Sequence, residues 1–257
     1  MMGAMALALG AATGSFLNVV IHRLPLRQSV VAPRSHCTSC GRTIPWYDNI
    51  PVLSWFLLRG RCRACGEKFS IRYPIVEALT GVLLLVLSLE FGWGLGLAFA
   101  FYFVCSLLVV TYIDLDHRII PDRVTLPGIA VGLLLALVAP AEVRWSAVQA
   151  WALGVLIGGG VLWLVAWVYE LATGREGMGG GDIKLLAMIG AFLGWQGVLV
   201  TLLVASLLGS VIGTALMLAR GGDRRLAIPF GPFLSLGALI TLLWGDRIVA
   251  WYMNTLV

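Results

Sequence analysis

Long apolar runs alternate with short polar breaks along the whole chain. The runs fall at 1–21, 74–91, 95–112, 124–138, 147–172, 183–193, 198–218 and 228–244. A helix that crosses a bilayer needs about 20 mainly apolar residues. Lipid offers the backbone no hydrogen-bond partner, so a run of that length is expected to be helical. The pattern predicts an all-α polytopic membrane protein with about eight transmembrane helices. The run at 183–193 is short unless it includes 194–196 or begins in the glycine-rich stretch before it. The first run lacks a basic leader segment, and its positive charges, Arg23 and Arg27, come after it. It is therefore expected to be a retained helix and not a cleaved signal.

Composition agrees with this pattern. Of 257 residues, 60% are hydrophobic and 12% charged, against about 25% charged in a soluble domain. So little charge could not cover a soluble surface. Charge placement adds a direction. If the N-terminus lies outside, the inner loops are 22–73, 113–123, 173–184 and 219–227, and they hold 16 of the 18 Lys and Arg residues. Only Arg144 and Arg247 fall elsewhere. That asymmetry matches the positive-inside rule. It accounts for the net charge of +5 without a nucleic-acid partner. The expected partner is the bilayer, with anionic headgroups a minor contact.

The polar breaks carry the candidate chemistry. The first long loop contains Cys37-Thr38-Ser39-Cys40 and Cys62-Arg63-Ala64-Cys65, with 21 residues between the two pairs. Four thiolates at this spacing suit a tetrahedral structural zinc, and such a closed site has no open position for catalysis. Gly41 and Gly66 follow the two knuckles, where a tight metal turn needs positive φ. The bland alternative is four reduced thiols in a metal-free loop, since a cytoplasmic loop would not keep disulfides. Cys105, alone in an apolar run, is expected to be a packing residue. Between the knuckles, 44–55 is aromatic and apolar: a small core, an interfacial anchor, or a ligand groove. Asn18 needs a hydrogen-bond partner inside its apolar run, Gly14 and Ser15 allow close helix packing, and His22 reads as structural. Glu77 sits one turn inside the second run, where an ion pair with a loop arginine is the plain expectation.

Two acidic stretches lie at inner ends of the predicted spans. One is Ile113-Asp114-Leu115-Asp116-His117-Arg118-Ile119-Ile120-Pro121-Asp122; the other is Gly179-Gly180-Gly181-Asp182. As single residues, Asp114 and Asp182 could be ordinary interfacial groups. As a pair they would share one proton, because two adjacent carboxylates do not both ionise readily. The ionised member can then activate water while the neutral one donates to a scissile carbonyl. Gly179 to Gly181 leave room beside Asp182 for a substrate backbone. A dinucleotide-binding reading of these glycines lacks the preceding strand it needs. Asp122, just before the run at 124–138, is expected to cap that helix.

Together these motifs resemble those of the bacterial type IV prepilin peptidases, the leader peptidases and N-methyltransferases of type IV pili and type II secretion. The resemblance runs over nearly the whole chain. It rests on Gly14-Ser15-Phe16-Leu17-Asn18-Val19, the paired Cys-x-x-Cys, Asn49-Ile50-Pro51, Arg59-Gly60-Arg61-Cys62, Arg72-Tyr73-Pro74-Ile75-Val76-Glu77, both acidic stretches, and Pro229-Phe230-Gly231-Pro232-Phe233. The family often has proline inside the first knuckle, where this chain has Thr38 and Ser39.

The resemblance implies a Gly-x-Gly-Asp aspartic endopeptidase with Asp114 and Asp182 as its acids, Asp116 as the alternative to Asp114, and Gly179, Gly181 and Lys184 in support. It implies prepilin or pseudopilin substrates, cut after glycine, in the bacterial inner membrane with the active site on the cytoplasmic face. It also implies S-adenosylmethionine as methyl donor for the new N-terminus, with Gly60 and Glu77 as candidate methyltransferase residues. The expected organisation is a first helix at 1–22, a cytoplasmic zinc-ribbon-like loop at 23–73 with the cysteines as ligands, and a protease core at 74–257. The alternatives are a peptidase without methylation, a transporter, and a non-enzymatic zinc-bearing scaffold.

Overall fold

A computed structural model describes residues 1–174, 179–219 and 229–256. The described residues form eight α-helices: α1 Met2–Arg23, α2 Leu53–Leu57, α3 Arg72–Phe91, α4 Leu95–His117, α5 Asp122–Leu137, α6 Ala141–Thr173, α7 Gly180–Ala219 and α8 Gly231–Leu256. Six of them are long and apolar enough to cross a membrane by length and composition. The protein is a multi-pass membrane protein. The chain divides into two compact units, Met1–Cys105 and Ser106–Val257.

In the first unit, α1 packs along α3. The helices approach through glycine. An ideal Cβ on Gly10 would lie 2.7 Å from the Gly81 Cα, and one on Gly14 would lie 2.7 Å from the Glu77 Cα. Gly10 and Gly14 are one turn apart, so this is the small-residue spacing that lets backbones meet in lipid. Asn18 finds its partner, donating from Nδ2 to the Tyr73 carbonyl at 3.1 Å. The loop between α1 and α3 folds around two matching turns. The Cys37 N–H donates to the Arg42 carbonyl and the Gly41 N–H to the Cys37 carbonyl; the Cys62 N–H donates to Glu67 and the Gly66 N–H to Cys62 in the same way. Isolated bridges pair His36 with Thr43 and Arg61 with Lys68. Gly41 and Gly66 adopt φ of +70° and +74°, as the metal-turn argument requires.

In the second unit, α7 packs against α5, α6 and α8. Its seam with α6 again runs on glycines one turn apart. A Cβ on Gly158 would strike the Leu186 carbonyl, and one on Gly154 the Gly190 carbonyl. As one straight rod, the 40 residues of α7 would measure about 60 Å, twice the roughly 30 Å of a hydrocarbon core. The rod is broken at Gly194, with φ 67° and ψ −179°. In a continuous helix, residues eight apart are separated by about 12 Å; here a Cβ on Gly190 would lie 3.0 Å from Val198 Cγ2. The chain thus doubles over at Gly194, and the runs at 183–193 and 198–218 are the two arms of one element. α8 lies on the second arm, with Thr201 Oγ1 donating to Thr241 Oγ1 at 3.2 Å.

Several boundaries move from expectation. α4 continues through His117, so Asp114 and Asp116 belong to its last turns and do not follow it. α6 starts at Ala141, six residues before the apolar run, and reaches 33 residues. α5 has 16 residues, about 24 Å, the shortest of the long helices. The expected start of the last span at Ile228, and the inner-loop charges Arg175, Arg220, Arg224 and Arg225, lie outside the described residues.

Candidate active and metal-binding sites

The second unit brings the two acidic stretches together. Asp114, in the last turns of α4, is only 5% exposed. Its Oδ2 accepts the backbone N–H of Gly231, the first residue of α8, at 3.1 Å. A helix N-terminus has N–H groups without intrahelical partners, and a carboxylate is a natural acceptor for one of them. Asp182 stands in the first turn of α7, near enough for the Asp114 charge to act on it directly. Its Oδ1 is shielded from solvent and has no hydrogen-bond partner among the described residues. Asp116, by contrast, is exposed. Residues two apart on a helix do not share a face, so Asp114 and Asp116 point to different surroundings.

The connection between α4 and α5 holds this arrangement. The Arg118 N–H closes α4 on the Asp114 carbonyl at 2.9 Å, and Arg118 itself sits at φ 55°. Ile120 then enters between two glycines. A Cβ on Gly181 would lie 2.8 Å from the Ile120 Cβ, and one on Gly231 would lie 2.6 Å from Asp114 Oδ2 and 3.2 Å from Ile120 Cδ1. Gly181 is thus required for the packing of Ile120. Of the three glycines before Asp182, Gly179 and Gly180 face open space among the described residues, so the expected clearance for a substrate backbone rests on these two.

Asp122 does not cap α5. It is the first residue of the helix, whose cap position is Pro121 and has no side-chain cap bond. Its carboxylate instead receives Lys184 Nζ at 2.7 Å and 2.8 Å, tying the start of α5 to the first turn of α7. Proline at the cap cannot supply a side-chain oxygen, which leaves the acid free for the lysine. Sequence reasoning assigned no role to Gly231 or Ile120. The Pro-Phe-Gly-Pro-Phe stretch was the available signal for Gly231; nothing local marks Ile120.

The four cysteines of the first unit converge. Their sulfurs lie within 4.8 Å of one another, and Cys37 Sγ is 3.7 Å from Cys65 Sγ. Tetrahedral zinc with Zn–S bonds of about 2.3 Å implies S···S spacings of about 3.8 Å, so the donor set fits a metal ion. Backbone N–H groups of Cys40 and then Ser39 pull the Cys37 thiol down to about 7. At Cys65 the Glu67 backbone N–H acts downward, but burial and the thiols of Cys40, Cys62 and Cys37 outweigh it, pushing the group up to about 12. One knuckle is braced from outside: Arg63, inside the second Cys-x-x-Cys, donates Nε and Nη2 to Asp48 at 2.8 Å and 2.6 Å. That pairing holds the Asp48 carboxyl below the ordinary carboxylate range.

Beside the cysteines, the first unit holds a half-open cavity of about 880 Å³. Trp46, Trp55, Phe69 and Tyr73 line it, with Asn18, His22, Gly60 and Glu77. The aromatic stretch between the knuckles is therefore a groove wall. Gly60 has φ +64°, and a Cβ there would lie 2.8 Å from the Trp55 ring, so no other residue fits without moving the indole. Glu77 is buried, 8% exposed. Its partner is a backbone amide and not the expected loop arginine: the Val52 N–H donates to Oε2 at 2.7 Å.

Comparison with known proteins covers both units. Residues 8–91 match the bacterial peptidase A24 N-terminal domain, and residues 101–214 match the type IV leader peptidase family. Relatives named prepilin leader peptidase/N-methyltransferase include one from Aeromonas salmonicida, 41% identical over 95% of this chain and 91% of the relative. Another is from Pseudomonas putida, 38% identical over 98% and 94%, and a third from Pseudomonas aeruginosa, 36% identical over 96% and 91%. No solved structure matches the chain.

Proposed function

Because this chain belongs to the type IV leader peptidase family, we propose that it cuts the leader from prepilins or pseudopilins after glycine and N-methylates the residue so exposed. The observation that carries the peptidase reading is the pair Asp114 and Asp182, brought from two helices into each other's field. We assign hydrolysis to this pair and prefer Asp114 to Asp116, because Asp114 is buried against the α8 N-terminus while Asp116 is exposed. In this reading Asp114, oriented by the Gly231 N–H, takes the proton of the attacking water. Asp182 donates to the scissile carbonyl; as the tetrahedral diol collapses, Asp114 passes its proton to the leaving amine and Asp182 recovers its own from the diol hydroxyl. No covalent intermediate is needed. Gly179 and Gly180 leave space beside Asp182 for the peptide, while Gly181 and Lys184 hold the first turn of α7.

Zinc at the four cysteines is structural in this reading: all four coordination positions are taken by sulfur. The loop at 23–73 and the adjoining helix ends carry the methyl-transfer site, and the protease core is 74–257. S-adenosylmethionine supplies an activated methyl group on a cationic sulfonium. The cavity fits such a group in size, and its Trp46, Trp55 and Tyr73 rings offer faces that attract a cation. The charge asymmetry supports an inner-membrane enzyme with its N-terminus outside and its active site on the cytoplasmic face. The substrate's basic leader would then stay in the cytoplasm while its apolar helix lies in lipid.

The deciding experiment is mass spectrometry of a prepilin incubated with the purified protein, with and without S-adenosylmethionine. The expected products are a single cut after glycine in both cases and an added methyl only with the donor. Asp114→Asn and Asp182→Asn should each slow cleavage by roughly 10²–10⁴-fold, whereas Asp116→Asn should stay near the wild-type rate. Wild-type cleavage by either of the first two variants would refute the dyad.

A further inference from the structure

Val52 is a β-branched residue at φ +64° and ψ −55°. Such a residue avoids positive φ, because its Cβ substituents crowd the backbone. Here the unfavourable conformation has one visible result: the Val52 N–H points at Glu77 Oε2, 2.7 Å away. The Ser15 side chain lies beside the same carboxylate. Glu77 is thus held from α1 and from the loop, at the wall of a cavity that Trp46, Trp55, Phe69 and Tyr73 also line, with the basic side chains of Arg23, Arg34 and Arg61 elsewhere on its rim. A buried acid restrained this way is expensive as mere packing. It is positioned to meet a cation or a proton donor entering the cavity.

Resting on the methyltransferase reading above, we propose that Glu77 is the residue that binds the substrate's new N-terminal amine and accepts its proton during methyl transfer, with Val52 and Ser15 fixing the carboxylate. The amine arrives as an ammonium ion and pairs with Glu77. The carboxylate takes one proton, freeing the nitrogen lone pair. That lone pair forms the N–C bond to the donor's methyl as the S–C bond breaks, and the bonding electrons stay on sulfur, leaving a neutral thioether. The methylated nitrogen is then a cation, and the proton on Glu77 passes to water. The Trp46, Trp55 and Tyr73 rings would hold the sulfonium, so the two cations would occupy different parts of the cavity.

The test uses the full-length protein in detergent and a mature-sequence peptide with either a free or an acetylated N-terminus. Without donor, the wild type should bind the free-amine peptide at least tenfold more tightly than the acetylated one, and Glu77→Gln should lose that preference. The same variant should lose methylation by a hundredfold or more while its leader cleavage and its affinity for S-adenosylhomocysteine stay within about threefold. Should Glu77→Gln fail to fold, Glu77→Asp decides: it keeps the charge, so amine preference should persist while transfer slows at least tenfold. The assignment is overturned if Glu77→Gln methylates normally, if it loses the product-donor affinity with amine preference intact, or if Glu77→Asp loses the preference. Absence of methylation in the wild type would instead sink the methyltransferase reading itself.

Discussion

The backbone N–H of Gly231 reaches the carboxylate of Asp114 across 117 positions of sequence, at 3.1 Å. A buried backbone hydrogen bond of this kind contributes about 0.5–1.5 kcal/mol or more, so this contact helps fix the orientation of the Asp114 carboxyl group. The site for a side chain at 231 is already filled, since a Cβ would lie 2.6 Å from Asp114 Oδ2. Gly231→Ala is therefore expected to reduce prepilin cleavage at least tenfold with the helical circular dichroism unchanged. Cleavage at the wild-type rate would mean that Asp114 needs no such support.

The Lys184–Asp122 ion pair is half exposed, and exposed pairs contribute only about 0–1 kcal/mol to stability. Its value should be positional, since it ties the first turn of α7, with Asp182, to the start of α5. Asp122→Asn and Lys184→Met should each lower cleavage several-fold with little change in Tm. The charge-reversed double variant Asp122→Lys with Lys184→Asp should recover part of the rate. A double variant no better than the singles would count against the tie.

Metal content separates the two candidate sites. One zinc per chain is expected by elemental analysis, falling to near zero in Cys37→Ser or Cys62→Ser. Limited proteolysis between α1 and α3 should accelerate in these variants. Methylation should fall with the loop. If the cysteine variants retained full zinc, the four-sulfur site would be wrong.

The Asp48–Arg63 pair gives a pH dependence of known sign. The folded-state pKa of Asp48 lies below its unfolded value because of Arg63. Its stabilising contribution is therefore present above the ordinary carboxylate pKa and is lost as pH falls through the lower folded value. Proteolytic protection of the loop should decline on acidification below about pH 4, and Asp48→Asn should abolish that part of the decline. A loop equally protected in wild type and variant across this range would remove the pair from the account.

The membrane helices were legible because lipid makes one demand, an apolar helix of sufficient length, and the runs meet it. The four cysteines were legible because metal turns fix both spacing and glycine. What stayed hidden depended on contact between distant segments. Nothing local to Ile120 announces that it separates Gly181 from Gly231. Asp122 looked like a cap because the rule for caps is local, whereas its lysine partner is 62 positions away. Glu77 looked like half of an ion pair, but the partner is an amide on a residue whose backbone torsion no propensity scale favours. The join at Gly194 was half visible: a run too short to span alone implied an irregularity there, while only the folded chain reveals a reversal.

Two of the helix seams are made by glycines facing backbone, at Gly10 and Gly14 in one unit and at Gly154 and Gly158 in the other. Where main chain touches main chain, there is no rotamer left to turn. Any enlargement must push a whole helix outward, and no neighbouring substitution can absorb the displacement. These four positions are therefore expected to be the least forgiving in saturation mutagenesis, less tolerant even than apolar core sites, where Leu and Met can trade places.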